Sequence, residues 1–149
     1  MSADAMIRER VGGTPAGFDF EPIELVEAPK LSKATVAIVT TAGLARPGEP
    51  WADGSHAFRL FERDTEGLIL AHNSTNFDRT GYAADRNVVY PIDRLVEMEA
   101  EGVIGRVAPR HASFLGSTFE LSTFVLDTGP RLAKILREDG VDIAILTPV

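Results

Sequence analysis

The residues of this 149-residue chain that could do chemistry are few: two histidines, an Asp–Arg pair, and some hydroxyls and glycines beside them. His72 follows a short apolar run and opens a polar stretch, and His111 lies two residues before Ser113, in a stretch that also holds Gly116. A neutral imidazole can take up or release a proton near pH 7. His72 and His111 are read either as two such imidazoles on one edge of a sheet or as hydrogen-bonded loop residues. Arg79, after Phe77 and Asp78, offers a planar fork that suits a carboxylate. The rival reading is a surface Asp–Arg pair of little energetic weight. Thr40-Thr41-Ala42-Gly43 could present N–H groups and hydroxyls to an anion, or could be a tight turn; neither GxGxxG nor GxxxxGK[ST] is present. No metal site is expected, because a third ligand, Asp78 or Asp85, has no diagnostic spacing from the histidines. Ser113 sits in nothing like a nucleophile elbow, which argues against a serine hydrolase.

These residues need elements to position them. Lys33 to Val39 is a near-continuous apolar run, as in a strand covered on both faces. Leu44 to Gly54 is rich in Pro and Gly and reads as a loop. Ala57 to Arg63 alternates imperfectly and reads as a half-exposed strand, and Leu68 to Ala71 as a short apolar one. Asn73 to Asn87 reads as a long polar loop, a kind often functional in small domains. Pro91 to Glu101 is expected to be a helix, with Ile92, Leu95 and Val96 at helical spacing and Gly102 just past its end. Val103 to Val107 reads as a strand and Ala108 to Thr118 as a loop. Phe119 to Asp139 reads as helical, kinked or restarted at Pro130, with Leu132, Ile135 and Leu136 as its buried stripe. Val141 to Val149 reads as a buried parallel strand running into its carboxyl-end loop, where ligands bind in open α/β sheets. Residues 1–31 form an expected irregular arm, and residues 32–149 the α/β domain proper. Strands alternating with helices imply a mainly parallel sheet in a three-layer α/β fold, Rossmann-like in the loose sense. Right-handed crossovers would bring the loops after Val39, Ala71, Val107 and Leu146 to one edge.

Composition removes several function classes. With 15 basic and 22 acidic side chains the formal charge is −7, which gives no footprint for nucleic acid or anionic lipid. No apolar run approaches the roughly 20 residues that span a bilayer. The first residues lack the apolar core of a secretory signal, and there is no cysteine, so a cytoplasmic location is expected.

Four segments together resemble a known family: "TVAIVTTAGL" (35–44), "AHNSTNFDR" (71–79), "DRNVVYPIDRLVEMEAEGVIGRVAPRHASFLG" (85–116) and "DTGPRLAKILREDGVDIAILTPV" (127–149). The resemblance is to the selenoprotein B components of glycine, sarcosine and betaine reductase and the matching subunit of D-proline reductase. It implies reductive cleavage of a C–N bond alpha to a carboxyl-type group, on a small amino-acid-like substrate. It also implies a pyruvoyl-containing partner subunit, a dithiol or thioredoxin-type reductant and an oligomeric assembly. In that role His72, Asp78 and His111 would line the pocket, with His111 as proton donor. Thr41, Ser113 and Gly116 would supply pocket backbone, and Arg79 a substrate contact.

In the family, the strand resembling "VDIAILTP" leads into a selenocysteine or cysteine followed, two residues on, by another cysteine. A thiolate or selenolate there would be favoured by the dipole of a following helix and re-reduced through its neighbour. This chain stops at Val149 and contains no such pair, so a selenocysteine or cysteine pair is expected after Val149, at a UGA codon or a cut on the cysteine side. A shortened paralogue and a deliberate cut are the rivals. As given, the residues should have no reductase activity. The loop after His72 is poorer in histidine than is usual in the family, so the substrate cannot be carried over. The alternative function is a redox-dead paralogue that binds a small carboxylate or stabilises a partner subunit.

Overall fold

Thr35 to Thr40 form β1, the strand on which the sheet is assembled, and five of its six residues are buried. In the computed structural model, which describes residues 25–74, 79–116 and 121–149, β1 is paired along both edges. On one edge lie β5 (Arg106–Val107) and β6 (Arg110–Phe114), parallel to β1, with Val36 opposite Val107 and Val39 opposite Ala112. On the other edge lies β7 (Ile143–Thr147), also parallel, with Val36 to Thr40 opposite Ile143 to Thr147. β3 (Phe58–Glu62) adds to the far side of β6, antiparallel. β2 (Leu44–Ala45) and β4 (Ile69–Leu70) make a separate antiparallel pair. The fold is mixed α/β with a mainly parallel sheet.

Alternate residues of β1 serve two cores, because successive side chains leave a strand on opposite faces. Val36 and Ile38 pack with Ile92 and Leu95 of α2 (Ile92–Ala100), together with Phe61, Val89, Tyr90, Ile104 and Val107. Ala37 and Val39 pack with Leu132 and Leu136 of α3 (Gly129–Glu138), together with Ala112 and Phe114. α2 begins as expected after Pro91 and is followed by Gly102 at φ +71°. Its first turn is capped from outside. The Asn87 side chain accepts from Asp93 N–H at 3.1 Å, while Arg86 grips the Asp93 carboxylate at 2.7 Å. α3 is preceded by a π turn, Phe124–Thr128, in place of a continuous helix. Gly129 permits it, since a Cβ there would stand 2.5 Å from Phe124 O. No helix among the described residues is long and apolar enough to cross a membrane.

Three expectations are corrected. Residues 110–114 are not loop but β6, and His111 and Ser113 are fully buried within it. The polar letters hid the strand because both side chains replace backbone partners inside the sheet, as shown below. The stretch from Asn73 to Asn87 contains α1 (Thr80–Ala84) and a 3-10 turn, Arg86–Val88. β4 does not join the main sheet, so the loop after Ala71 reaches its neighbours through the β2–β4 pair instead. Of the expected arm, residues 25–30 carry no regular structure and residues 1–24 lie outside the described set.

Arg110 of β6 fastens the sheet to the end of α3 through two bonds to the Asp139 carboxylate, 2.7 and 2.9 Å. Asp139 is the helix C-cap and its side chain is mostly buried. A bidentate, partly buried pair is worth more than a surface one. Arg110→Ala is expected to lower stability by about 1–2 kcal/mol in urea unfolding. A double-mutant cycle with Asp139→Ala should show coupling; strictly additive losses would mean the pair contributes nothing.

Candidate functional site

The three parallel strands β1, β6 and β7 deliver their carboxyl ends to one place. β1 runs into Thr41-Ala42-Gly43, β6 into Leu115-Gly116, and β7 into Pro148 and Val149. Gly43, at φ +63°, gathers these loops. Its N–H donates to Phe114 O at 2.8 Å, and its carbonyl accepts from Ala71 N–H and Trp51 Nε1–H, each at 3.0 Å. A Cβ on Gly43 would meet His72 Cα at 3.1 Å, so the chain after β4 lies hard against the loop after β1. Gly116, at φ +73°, closes the other side, with its virtual Cβ 2.8 Å from Thr41 O and 3.5 Å from His72 Nε2. Thr41, His72 and Gly116 are thus brought together, but through the β2–β4 pair and the end of β6 rather than by the expected crossovers.

A pocket of about 500 Å³ opens beside them, lined by Val39, Thr41, Phe114, Gly116, Leu121, Phe124, Leu146, Thr147 and Pro148. Its polar side chains are the two threonines; none of its described lining residues is charged. Thr41 Oγ1 accepts from Val149 N–H at 2.9 Å, and Thr147 Oγ1 donates to Val89 O at 3.1 Å. This is a wall for an apolar group, with no cation among the described lining residues to hold a carboxylate.

His72 is almost wholly buried, and its Nδ1 accepts from Ser74 N–H at 3.0 Å. Burial, and then the nearby Arg79 guanidinium, hold its pKa below the ordinary imidazole value. Arg79, expected to contact substrate, instead donates to His72 O at 2.5 Å and reaches Ser74 O at 3.5 Å, so it braces the loop. Arg79→Met is expected to move the His72 pKa upward, though still short of the ordinary value because burial remains. An NMR titration of the ring protons checks this, and an unmoved pKa would show that the guanidinium is not felt.

His111 is placed elsewhere. It is fully buried in β6, outside the pocket lining, and its Nδ1 accepts from Ile38 N–H of β1 at 3.0 Å. The strand is interrupted there between β5 and β6, and the imidazole takes the place of the missing backbone carbonyl. Burial, helped by Arg63, lowers its pKa to about 4, so it is neutral near pH 7. With Nδ1 accepting, the ring proton sits on Nε2, which has no partner among the described residues. The Tyr90 ring stands edge-on to it, centroids 5.7 Å apart, and the Tyr90 hydroxyl is likewise buried without a partner among them. Ser113 is also interior: its Oγ accepts from Leu44 N–H at 2.9 Å and donates to Phe114 O at 3.2 Å. Asp78 lies outside the described residues. Sequence reading missed the apolar contributors Leu121 and Phe124; the only sign was two apolar residues just ahead of the helix restart at Gly129-Pro130.

Comparison with known proteins adds identity to this geometry. The family described as glycine/sarcosine/betaine reductase selenoprotein B matches residues 18–149. D-proline reductase subunit gamma of Acetoanaerobium sticklandii is 31% identical over 120 residues, covering 79% of this chain and 50% of that protein. The glycine reductase complex component B subunit gamma of Peptoclostridium acidaminophilum is 35% identical over 141 residues, covering 86% of this chain and 31% of its own length. The sarcosine reductase complex component B subunit beta of the same organism is 34% identical over 124 residues, or 78% and 28%. This chain therefore spans half of the first relative's length and under a third of the other two. No solved structure matches. The match across nearly the whole chain, over the strands and loops that build the carboxyl-end site, places the protein in the glycine/sarcosine/betaine reductase selenoprotein B family.

Proposed function

We propose that these residues are the front portion of a redox subunit in a glycine/D-proline reductase-type complex. The observation that carries this is the family match over residues 18–149, which includes every element that ends at the pocket. In the proposed reaction a C–N bond alpha to a carboxyl-type group is broken. Two electrons and two protons come from a dithiol, which becomes a disulfide, and the nitrogen leaves as ammonia or an amine, or stays on the opened product where it was part of a ring. A selenol or thiol would supply the nucleophile; with no cysteine in the chain, it lies outside these residues. Helices packed against both faces of β1 support a three-layer, loosely Rossmann-like reading, in which a nucleophile at the carboxyl ends would be beside the pocket.

The residues present fit only part of that chemistry. The described lining residues offer no cation for a substrate carboxylate, which agrees with a substrate held through a pyruvoyl group on a partner subunit. His72, against Gly116 at the pocket wall, is the proposed proton carrier, with Thr41 and Gly116 shaping the wall and Asp78 close by in sequence. Arg79, Ser113 and His111 are proposed as positioning residues: the first braces His72, the other two hold β1, its loop and β6 in register.

The test is to purify the native complex through a tag on this chain and assay dithiol-dependent C–N cleavage, as ammonia or amine release from glycine, sarcosine and betaine and as the ring-opened primary amine from D-proline. Activity on at least one is expected, and no activity from an intact complex on any of the four overturns the reading. Reading the gene beyond the Val149 codon tests the placement of the nucleophile. An in-frame UGA or cysteine codon followed closely by a second cysteine is expected. A frame without either, in a complex that is nonetheless active, overturns that placement alone.

A further inference from the structure

The two outermost strands of the sheet are built differently. β3 carries Arg59 and Glu62, with Arg63 next to it, charges of the kind that keep other strands away. Arg59 also lies over the Trp51 ring, 4.1 Å from its centroid, and bonds the carbonyls of Glu49 and Pro50, so a loop is strapped beside that strand. β7 has no such guard. From Ile143 to Val149 no side chain is charged, and among the described residues no strand pairs with its outer edge. One face is also uncovered. Ile143 and Ile145 reach the core beside α2, but Ala144 and Leu146 point the other way and are exposed, Leu146 at 70%. Leu146, Thr147 and Pro148 run directly into the pocket wall, and Leu121 on its far side is 41% exposed. Edge, exposed face and pocket share Leu146 and Thr147, and none of the described residues of β7 or of the pocket lining is charged.

We propose that this surface receives a β-strand from the polypeptide that corresponds to the relatives' unmatched part of the same subunit, pairing with the outer edge of β7 and placing an apolar side chain in the pocket. Strand addition of this kind draws affinity from main-chain bonds and specificity from a side-chain pocket. The occupant follows from two observations. The relatives carry half to more than two thirds of their length beyond the part this chain matches, so the family's fold includes polypeptide that must pack somewhere. A second copy is disfavoured by charge, since each chain carries −7. The inference rests on the family reading, and it makes the pocket an assembly site whose last wall arrives with the partner strand.

The absence of cysteine makes the test direct. Leu146→Cys introduces a unique thiol on the exposed face, and Lys134→Cys does the same on the outer side of α3 as a control. Each variant is alkylated as the isolated chain and in the complex purified through its tag, then joined to its neighbour with a thiol-anchored photocrosslinker. Assembly is expected to slow alkylation at position 146 by roughly tenfold or more, with little change at 134. The crosslinked peptide is expected to belong to the polypeptide that corresponds to the relatives' unmatched part of the same subunit. Unchanged alkylation at 146 in the complex, or crosslinking only to a second copy, to a different subunit or to an unrelated protein, overturns the proposal. C–N cleavage measured on the unsubstituted complex, purified in parallel through the same tag, separates the two readings. An active unsubstituted complex with position 146 open in the variant sinks only the docking surface, whereas protection and correct crosslinking at 146 beside an inactive unsubstituted complex sinks only the reductase reading.

Discussion

His111→Ala is expected to destabilise the fold by about 3–5 kcal/mol, the loss of a fully buried ring combined with that of a buried hydrogen-bond acceptor. The imidazole sits where β5 gives way to β6, and its Nδ1 accepts from Ile38 N–H at the middle of β1. Alanine leaves that N–H buried and unpaired beside a cavity. His111→Asn should recover part of the loss, because its amide oxygen can stand near the Nδ1 position and accept the same bond. Acid should expose the same dependence. The folded pKa of about 4 is below the unfolded value of 6.5, so between those pH values the unfolded chain binds more protons. The stabilisation is complete above about pH 6.5 and falls as the pH drops toward 4, by up to about 3 kcal/mol from this group. His72, also lowered, adds a loss in the same direction. Urea unfolding of wild type and His111→Asn across this range isolates the His111 share, since the variant should show a shallower decline. Identical declines in the two proteins would mean that His111 is not held neutral by the core.

Much of this fold was legible, and the misses have physical causes. β1 announced itself by an apolar run with polar breaks, because a strand covered on both faces has no solvent side to mark. α2 was framed by Pro91 and Gly102, whose backbone preferences are local and survive any tertiary context. β6 was hidden because its inward groups, His111 and Ser113, satisfy main-chain N–H groups of β1 and of the loop after it. Letters that read as a polar loop were interior hydrogen-bond partners, which only the three-dimensional pairing reveals. The meeting of Thr41, His72 and Gly116 does not come from the expected crossovers, because His72 arrives through β4, outside the main sheet, and Gly116 through β6, which read as loop. The apolar character of the pocket was not legible either, because Phe124 enters it from a π turn that no periodicity marks and Leu121 from the segment just before it.

Gly116→Ala should cost about 3 kcal/mol and disturb the pocket itself. At φ +73° a side chain pays about 1–2 kcal/mol for the left-handed backbone alone. The new methyl would also stand 2.8 Å from Thr41 O and 3.1 Å from Thr41 Cβ, contacts that only a shift of the β1 loop can relieve, at about 1–3 kcal/mol. Gly48, at φ +82° with nothing within 4 Å of its virtual Cβ, is the matched control and should show only the backbone part. Because Thr41 Oγ1 accepts from Val149 N–H, the displacement should also speed hydrogen exchange at Val149. Equal losses for the Gly116 and Gly48 variants would show that the loops at the carboxyl ends are not packed as tightly as described.

The pairing of β1 has a kinetic consequence. Its bonds to β5, β6 and β7 span 71, 73 and 107 residues of sequence. Sheets closed over such distances fold slowly, since the entropy of bringing remote segments together is spent before their contacts form. Until the chain beyond Ile143 is available, one edge of β1 has no partner, and a nascent chain on the ribosome would hold its most apolar strand half-finished. Refolding should therefore be governed by the arrival of β7, and truncation before it should leave a collapsed, aggregation-prone state rather than a smaller native domain.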